Sequence, residues 1–167
     1  MSQPEGAWPY AVTYQTRWLD NDQYGHLNNS SYYLIADSII NAYLISACGL
    51  EPYIHASSSA HRAPSSDSEK PRAHIVGLVI TNSCRYFASC SFPSPLTVAL
   101  RVVKLGNSSV TYQVSIREQN ATQTAALITS THVFVDRHTR TPVTIPKSFR
   151  VPLSTLFVDT EEPRSKL

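Results

Sequence analysis

The feature that most constrains this chain is the run of residues 29–48, in which Tyr32, Ile35, Ala36, Ile39, Ile40, Tyr43, Leu44 and Ala47 recur at helical spacing. That is the pattern of a helix with one face buried. Asn28 or Asn29 can cap its free amides, and Gly49 stands where a left-handed residue would end it. So apolar a stripe needs a broad partner surface. Residues 73–91, 96–105, 109–119 and 124–137 supply one, because they read as strands; the stretches VTYQVSIRE and LITSTHVFV alternate cleanly. The breaks between them, Phe92-Pro93-Ser94-Pro95, Gly106-Asn107 and Gln119-Asn120-Ala121, carry turn chemistry. Residues 11–19 predict a further strand, with Val12, Tyr14, Thr16 and Trp18 on one face. The expected architecture is α+β, a long central helix wrapped by a curved antiparallel sheet. A sheet covered by one helix keeps a free edge, which favours pairing of two chains.

With 167 residues, of which 42% are hydrophobic and 16% charged, the chain suits one domain. Its core is expected over about residues 11–145. Residues 51–72, rich in Ser, Pro and charge, read as a mobile loop in which His55 and His61 are solvated. Beyond Pro142 the pattern fades into a tail, residues 146–167. A net charge of +2, with basic residues scattered, gives no footprint for nucleic acid. No apolar run approaches the roughly 20 residues of a membrane span, and the first residues lack the character of a secretory signal. Cys48, Cys84 and Cys90 lack paired spacing and read as reduced thiols. The final Ser165-Lys166-Leu167 matches the address read by the peroxisomal import receptor, so a peroxisomal location is expected.

The candidate chemistry lies in DNDQYGHLNN, residues 20–29, immediately before the helix. A helix start offers unpaired N–H groups and a positive dipole end, suited to a developing oxyanion. A neighbouring carboxylate can act as general base on water or attack a carbonyl directly. Gly25 permits a positive φ. The same Asp20, Asp22 and Asn28 would serve equally to close a turn and cap the helix. Asp22 and His26 have metal-pair spacing but no third ligand at a useful distance, so no metal is expected.

The run RWLDNDQYGHLNN, residues 17–29, followed by Tyr32-Tyr33, resembles the signature of the 4-hydroxybenzoyl-CoA thioesterase-like hot-dog proteins. The order of elements agrees over residues 13–143. The resemblance implies a hot-dog fold and an acyl-CoA thioesterase that releases free acid and CoA. It needs no cofactor, coenzyme A being part of the substrate. It implies Asp22 as catalytic carboxylate, nucleophile or general base, and the Asn29 backbone N–H as the group polarising the thioester carbonyl. Gly25, His26 and Asn28 take supporting roles, and Asp20 orders the loop. A homodimer or homotetramer is implied, its pocket at a dimer interface lined by the partner's strand over residues 77–85. No motif assigns the CoA phosphates; Arg85, Arg101 and Lys104 are the guessed contacts. The alternative is a non-hydrolytic acyl-CoA-binding or tailoring protein of the same fold, in peroxisomal or secondary metabolism. The dehydratase arrangement D-x₄-H is not matched: Asp20 and Asp22 lie six and four residues before His26. Two departures stand out: the long 51–72 stretch, and Pro93-Ser94-Pro95 where many relatives carry an acidic residue.

Overall fold

The computed structural model describes residues 6–51 and 75–159. Nearly all of the expected Ser/Pro-rich loop, with His55 and His61, lies outside the described residues, as does the C-terminal Ser165-Lys166-Leu167. The described elements are β1 (Tyr10–Gln15), a 3₁₀ turn (Trp18–Asp20), α1 (Asn29–Cys48), β2 (Ile75–Tyr86), β3 (Pro95–Leu105), β4 (Ser109–Glu118), β5 (Ala126–Asp136) and α2 (Lys147–Thr155). The strands form one antiparallel sheet in the order β1-β3-β4-β5-β2, with β1 and β2 at the edges.

The core follows from two periodicities meeting. Helix α1 buries Tyr32, Ile35, Ala36, Ile39, Ile40, Tyr43, Leu44 and Cys48. Against this stripe stand alternate residues of β3 (Leu96, Val98, Leu100, Val102), of β4 (Val110, Tyr112, Val114, Ile116), and of β5 (Ile128, Phe134). Strand alternation delivers such a row to one face, and the 3.6-residue period delivers the matching stripe. Both helix ends obey local chemistry. The Asn28 side chain accepts from the Ser30 N–H at 2.9 Å. Gly49 turns left-handed at φ 71°, and the Leu50 N–H returns to the Leu44 carbonyl at 3.0 Å.

Two sequence expectations change. The first strand ends at Gln15, not residue 19, so Trp18, 81% exposed, lies outside the strand instead of sharing a face with Val12 and Tyr14. The Asp20 carboxylate draws in the Arg17 N–H (2.7 Å) and guanidinium (2.7 Å), closing a 3₁₀ turn that breaks the alternation. The tail also contains a helix, α2, which buries Phe149 and Leu153. It docks on α1, where the Tyr43 hydroxyl donates to the Pro152 carbonyl at 2.8 Å and Phe134 meets Phe149 edge-on at 5.7 Å. After α2 the chain pairs with β3, the Val102 N–H reaching the Leu156 carbonyl and the Val158 N–H the Val102 carbonyl. No helix among the described residues is long and apolar enough to cross a membrane.

Candidate active site

The segment between β1 and α1 is held by a buried anchor. Asp20, 2% exposed, pairs with Arg17 at 2.7 Å and accepts from the Tyr14 hydroxyl at 2.9 Å. Burial pushes its carboxyl up, but the hydrogen bonds from Arg17 and Tyr14 outweigh that and hold it below the ordinary carboxylate range. Its backbone carbonyl accepts from the Asn28 N–H (2.8 Å) and the Ser31 hydroxyl (2.9 Å), fastening the loop to the helix start. Further out, the Leu27 N–H donates to the Cys90 carbonyl at 2.7 Å and the Asn21 Oδ1 accepts from the Phe92 N–H at 3.1 Å. The loop is therefore pinned to the chain that leaves β2.

Asp22 sits half-buried inside this frame. Its N–H donates to the His26 carbonyl at 2.8 Å, and one carboxylate oxygen, Oδ1, accepts from the Tyr24 and His26 N–H groups at 2.8 and 3.3 Å. The turn needs Gly25 at φ 82°; a Cβ there would meet nothing, so backbone conformation alone asks for glycine. One carboxylate oxygen is thus held by the backbone, and the other has no hydrogen-bond partner among the described residues.

At the helix start the amides are unequally used. The Asn28 N–H goes to Asp20, that of Ser30 to the Asn28 side chain, and that of Ser31 to the Asn28 carbonyl. Among the described residues nothing accepts from the Asn29 N–H. An unclaimed amide at the positive end of a long helix is able to polarise a carbonyl oxygen, and the held carboxylate lies seven residues before it in the chain.

The other expected residues divide. His26 supports Asp22 through its backbone, and its side chain is exposed; Asn28 acts as the cap. Arg85 is exposed beside Tyr86, at the end of β2 that meets the helix start, with its guanidinium over the Phe87 ring at 5.3 Å. Arg101 does not fit the phosphate role. It is 2% exposed, bonded to Gln113 at 2.6 and 2.9 Å and stacked on Trp8 at 4.4 Å. Lys104 is exposed, but it lies near the far end of β3 from Leu96, which pairs with Tyr14 by the loop. In this chain neither reaches the site. Asn21 and Tyr86 had no advance signal beyond their neighbours: Asn21 clamps Phe92, and Tyr86 packs edge-on against Tyr32 at 5.3 Å. Tyr32 belongs to the core at 2% exposure, while Tyr33 stays half-buried. Cys48 and Cys90 are buried free thiols and Cys84 is half-buried.

A long helix wrapped by a five-stranded antiparallel sheet, with a polar loop fastened at the helix start, defines the hot-dog class. The family follows from the match of residues 16–153 to the thioesterase-like superfamily, and the chain belongs to it. Among solved structures it is similar to the PA5185 protein of Pseudomonas aeruginosa, with 36% identity and a TM-score of 0.75 over 89% of this chain and 91% of that one. It also resembles Slr0204, a 1,4-dihydroxy-2-naphthoyl-CoA thioesterase from Synechocystis, with 14% identity and a TM-score of 0.70 over 87% and 95%. A third is the SAV2348 protein of Staphylococcus aureus in complex with CoA, with 16% identity and a TM-score of 0.69 over 92% and 89%. No curated protein matches the chain.

Proposed function

We propose that the chain hydrolyses acyl-CoA thioesters at the start of α1, releasing free acid and CoA. The observation that carries this reading is the Asn29 N–H at the start of α1, unclaimed among the described residues, on the same short loop-to-helix segment that holds the Asp22 carboxylate by two backbone amides. In the proposed reaction the thioester carbonyl oxygen accepts from the Asn29 N–H, which stabilises the oxyanion as it forms. Asp22, through its free oxygen, either attacks the carbonyl carbon or takes a proton from the attacking water. The family membership and the CoA-bound SAV2348 relative support a CoA thioester as substrate. Arg85 remains the phosphate contact in this chain.

The decisive test is Asp22→Asn in a thiol-release assay. Turnover is expected to fall by about a hundredfold or more with the fold unchanged. Unchanged turnover removes Asp22 from the mechanism. A second reading, thioester binding without hydrolysis, draws on the two backbone amides that hold Asp22, because the same contacts occur in a residue that only closes a turn. It predicts tight acyl-CoA binding and no thiol release from the unaltered chain.

We further propose that β2 pairs with its counterpart in a second copy, bringing the two sites to one interface. Among the described residues no strand pairs with its outer edge, and Leu78, Val79 and Ile80 are 36%, 45% and 58% exposed.

A further inference from the structure

The face of the sheet turned away from α1 carries a hollow. Ala11, Ala99 and Ser115 stand opposite one another across β1, β3 and β4, and residues opposite in a ladder share a face. Their neighbours Tyr10, Val98, Leu100, Val114 and Ile116 pack into the core, so these three face outward. Three small side chains in one row leave a depression where larger ones would build up the surface. A cavity of about 330 Å³ lies over them, near the low end of the range for small-molecule sites. The Ser115 hydroxyl is bonded to that of Thr124 at 2.9 Å, so the floor is small and apolar in character.

The walls differ from the floor. On one side stands Trp8, with the Arg101 guanidinium 4.4 Å from its ring centroid. On the other, the next row brings Thr97 opposite Arg117, and Thr122 joins them from the β4–β5 turn. Arg117 is anchored. Its Nη1 donates to the carbonyls of Ala121 (2.6 Å), Gln119 (3.2 Å) and Glu118 (3.4 Å). Its Nε and Nη2, and the hydroxyls of Thr97 and Thr122, have no hydrogen-bond partner among the described residues. A guanidinium edge with two parallel N–H donors fits a planar carboxylate, and an anchored one loses little freedom in binding it. Among the described residues that line the cavity, Arg117 is the one charged group.

We infer that this hollow is a second ligand site, on the sheet face opposite α1, for a small aromatic carboxylate. The carboxylate pairs with the open edge of Arg117, and the ring covers Ala11 and Ala99 beside Trp8. One cation matches one negative charge, which favours a carboxylate over a phosphate dianion, and the apolar floor favours an attached ring over a bare anion. The site does not depend on the proposed hydrolysis, and loss of that reading leaves it standing.

The chain has two tryptophans, Trp8 and Trp18, so the Trp18→Phe variant leaves Trp8 as a fluorescent reporter inside the hollow. In that background benzoate is expected to change the Trp8 emission saturably, with a Kd on the order of 1 mM. Benzamide has the shape without the charge, and inorganic phosphate the charge without the ring; each is expected to bind at least about tenfold more weakly. Arg117→Gln, and separately Ala11→Leu, which fills the floor, should each weaken benzoate binding by about tenfold or more. Far-UV circular dichroism checks folding. Ala11→Leu, at an exposed position of an edge strand, keeps the test open if Arg117→Gln, which also loses its contacts to the turn, does not fold. No saturable response to benzoate well above that Kd, equal binding of benzamide or of phosphate, or a benzoate Kd unmoved in both variants overturns the inference.

Discussion

Two aspartates two residues apart end in opposite situations, and the contrast sets what each substitution does. Asp20 is buried and saturated with donors, whereas Asp22 keeps one oxygen free at the helix start. Asp20→Asn is expected to cost about 1.5–3 kcal/mol, the range for a hydrogen bond to a charged group. The pH dependence has a definite sign. Because the folded carboxyl titrates below its ordinary value, its contribution is complete above the unfolded pKa of about 3.9 and is lost as pH falls through the lower folded one. Thermal melts of wild type and Asp20→Asn should therefore differ at neutral pH and converge in acid. A constant gap down to the lowest pH would show that Asp20 acts through shape alone. At this scale much was legible in advance. The spacing of residues 20–29 placed both carboxylates before a helix, and resemblance chose between them. Burial is not written in the pattern: in sequence Arg101 is an ordinary basic residue of a strand and reads as a phosphate contact, whereas in the fold Trp8 and Gln113 enclose it.

Among the elements, α1 and β2–β5 came through with boundaries shifted by a few residues, because long periodic segments declare themselves. The two misjudged ones are short, and their causes are tertiary. The end of β1 is decided by a carboxylate reaching back to Arg17, which no alternation pattern encodes. Helix α2 begins after Pro146 and contains Pro152, so its sequence reads as a broken tail; only docking on α1 and β3 makes it a helix. Phe149, fully buried, is the centre of that docking. Phe149→Ala should cost about 3–5 kcal/mol and lower Tm with one cooperative transition. A loss below about 1 kcal/mol, or a separate low-temperature transition for the tail, would mean that α2 is an accessory to the core and not a part of it.

For the whole molecule the question is what covers β2. Among the described residues nothing pairs with the strand's outer edge, its Leu78, Val79 and Ile80 are exposed, and the loop anchors Cys90 and Phe92 lie just beyond its end. Replacing Leu78 and Ile80 together by Lys should convert the proposed dimer to monomer in sedimentation, since edge lysines block strand addition, while circular dichroism stays unchanged. Thiol release is expected to fall with it. A dimer that persists would put the interface elsewhere.

The ladder of β2 with β5 also carries a register irregularity, with Val79 opposite His132 and Thr81 opposite Thr131, so that Ile80 has no counterpart. Elsewhere in the strand, loss of one codon would turn every later side chain through to the opposite face, taking Cys84 and Tyr86 away from the helix. Loss of Ile80 alone would join two segments that are already in step. Evolution thus has one position in this strand where chain length can change without rewriting the site, and natural length variation within β2 is expected to concentrate there.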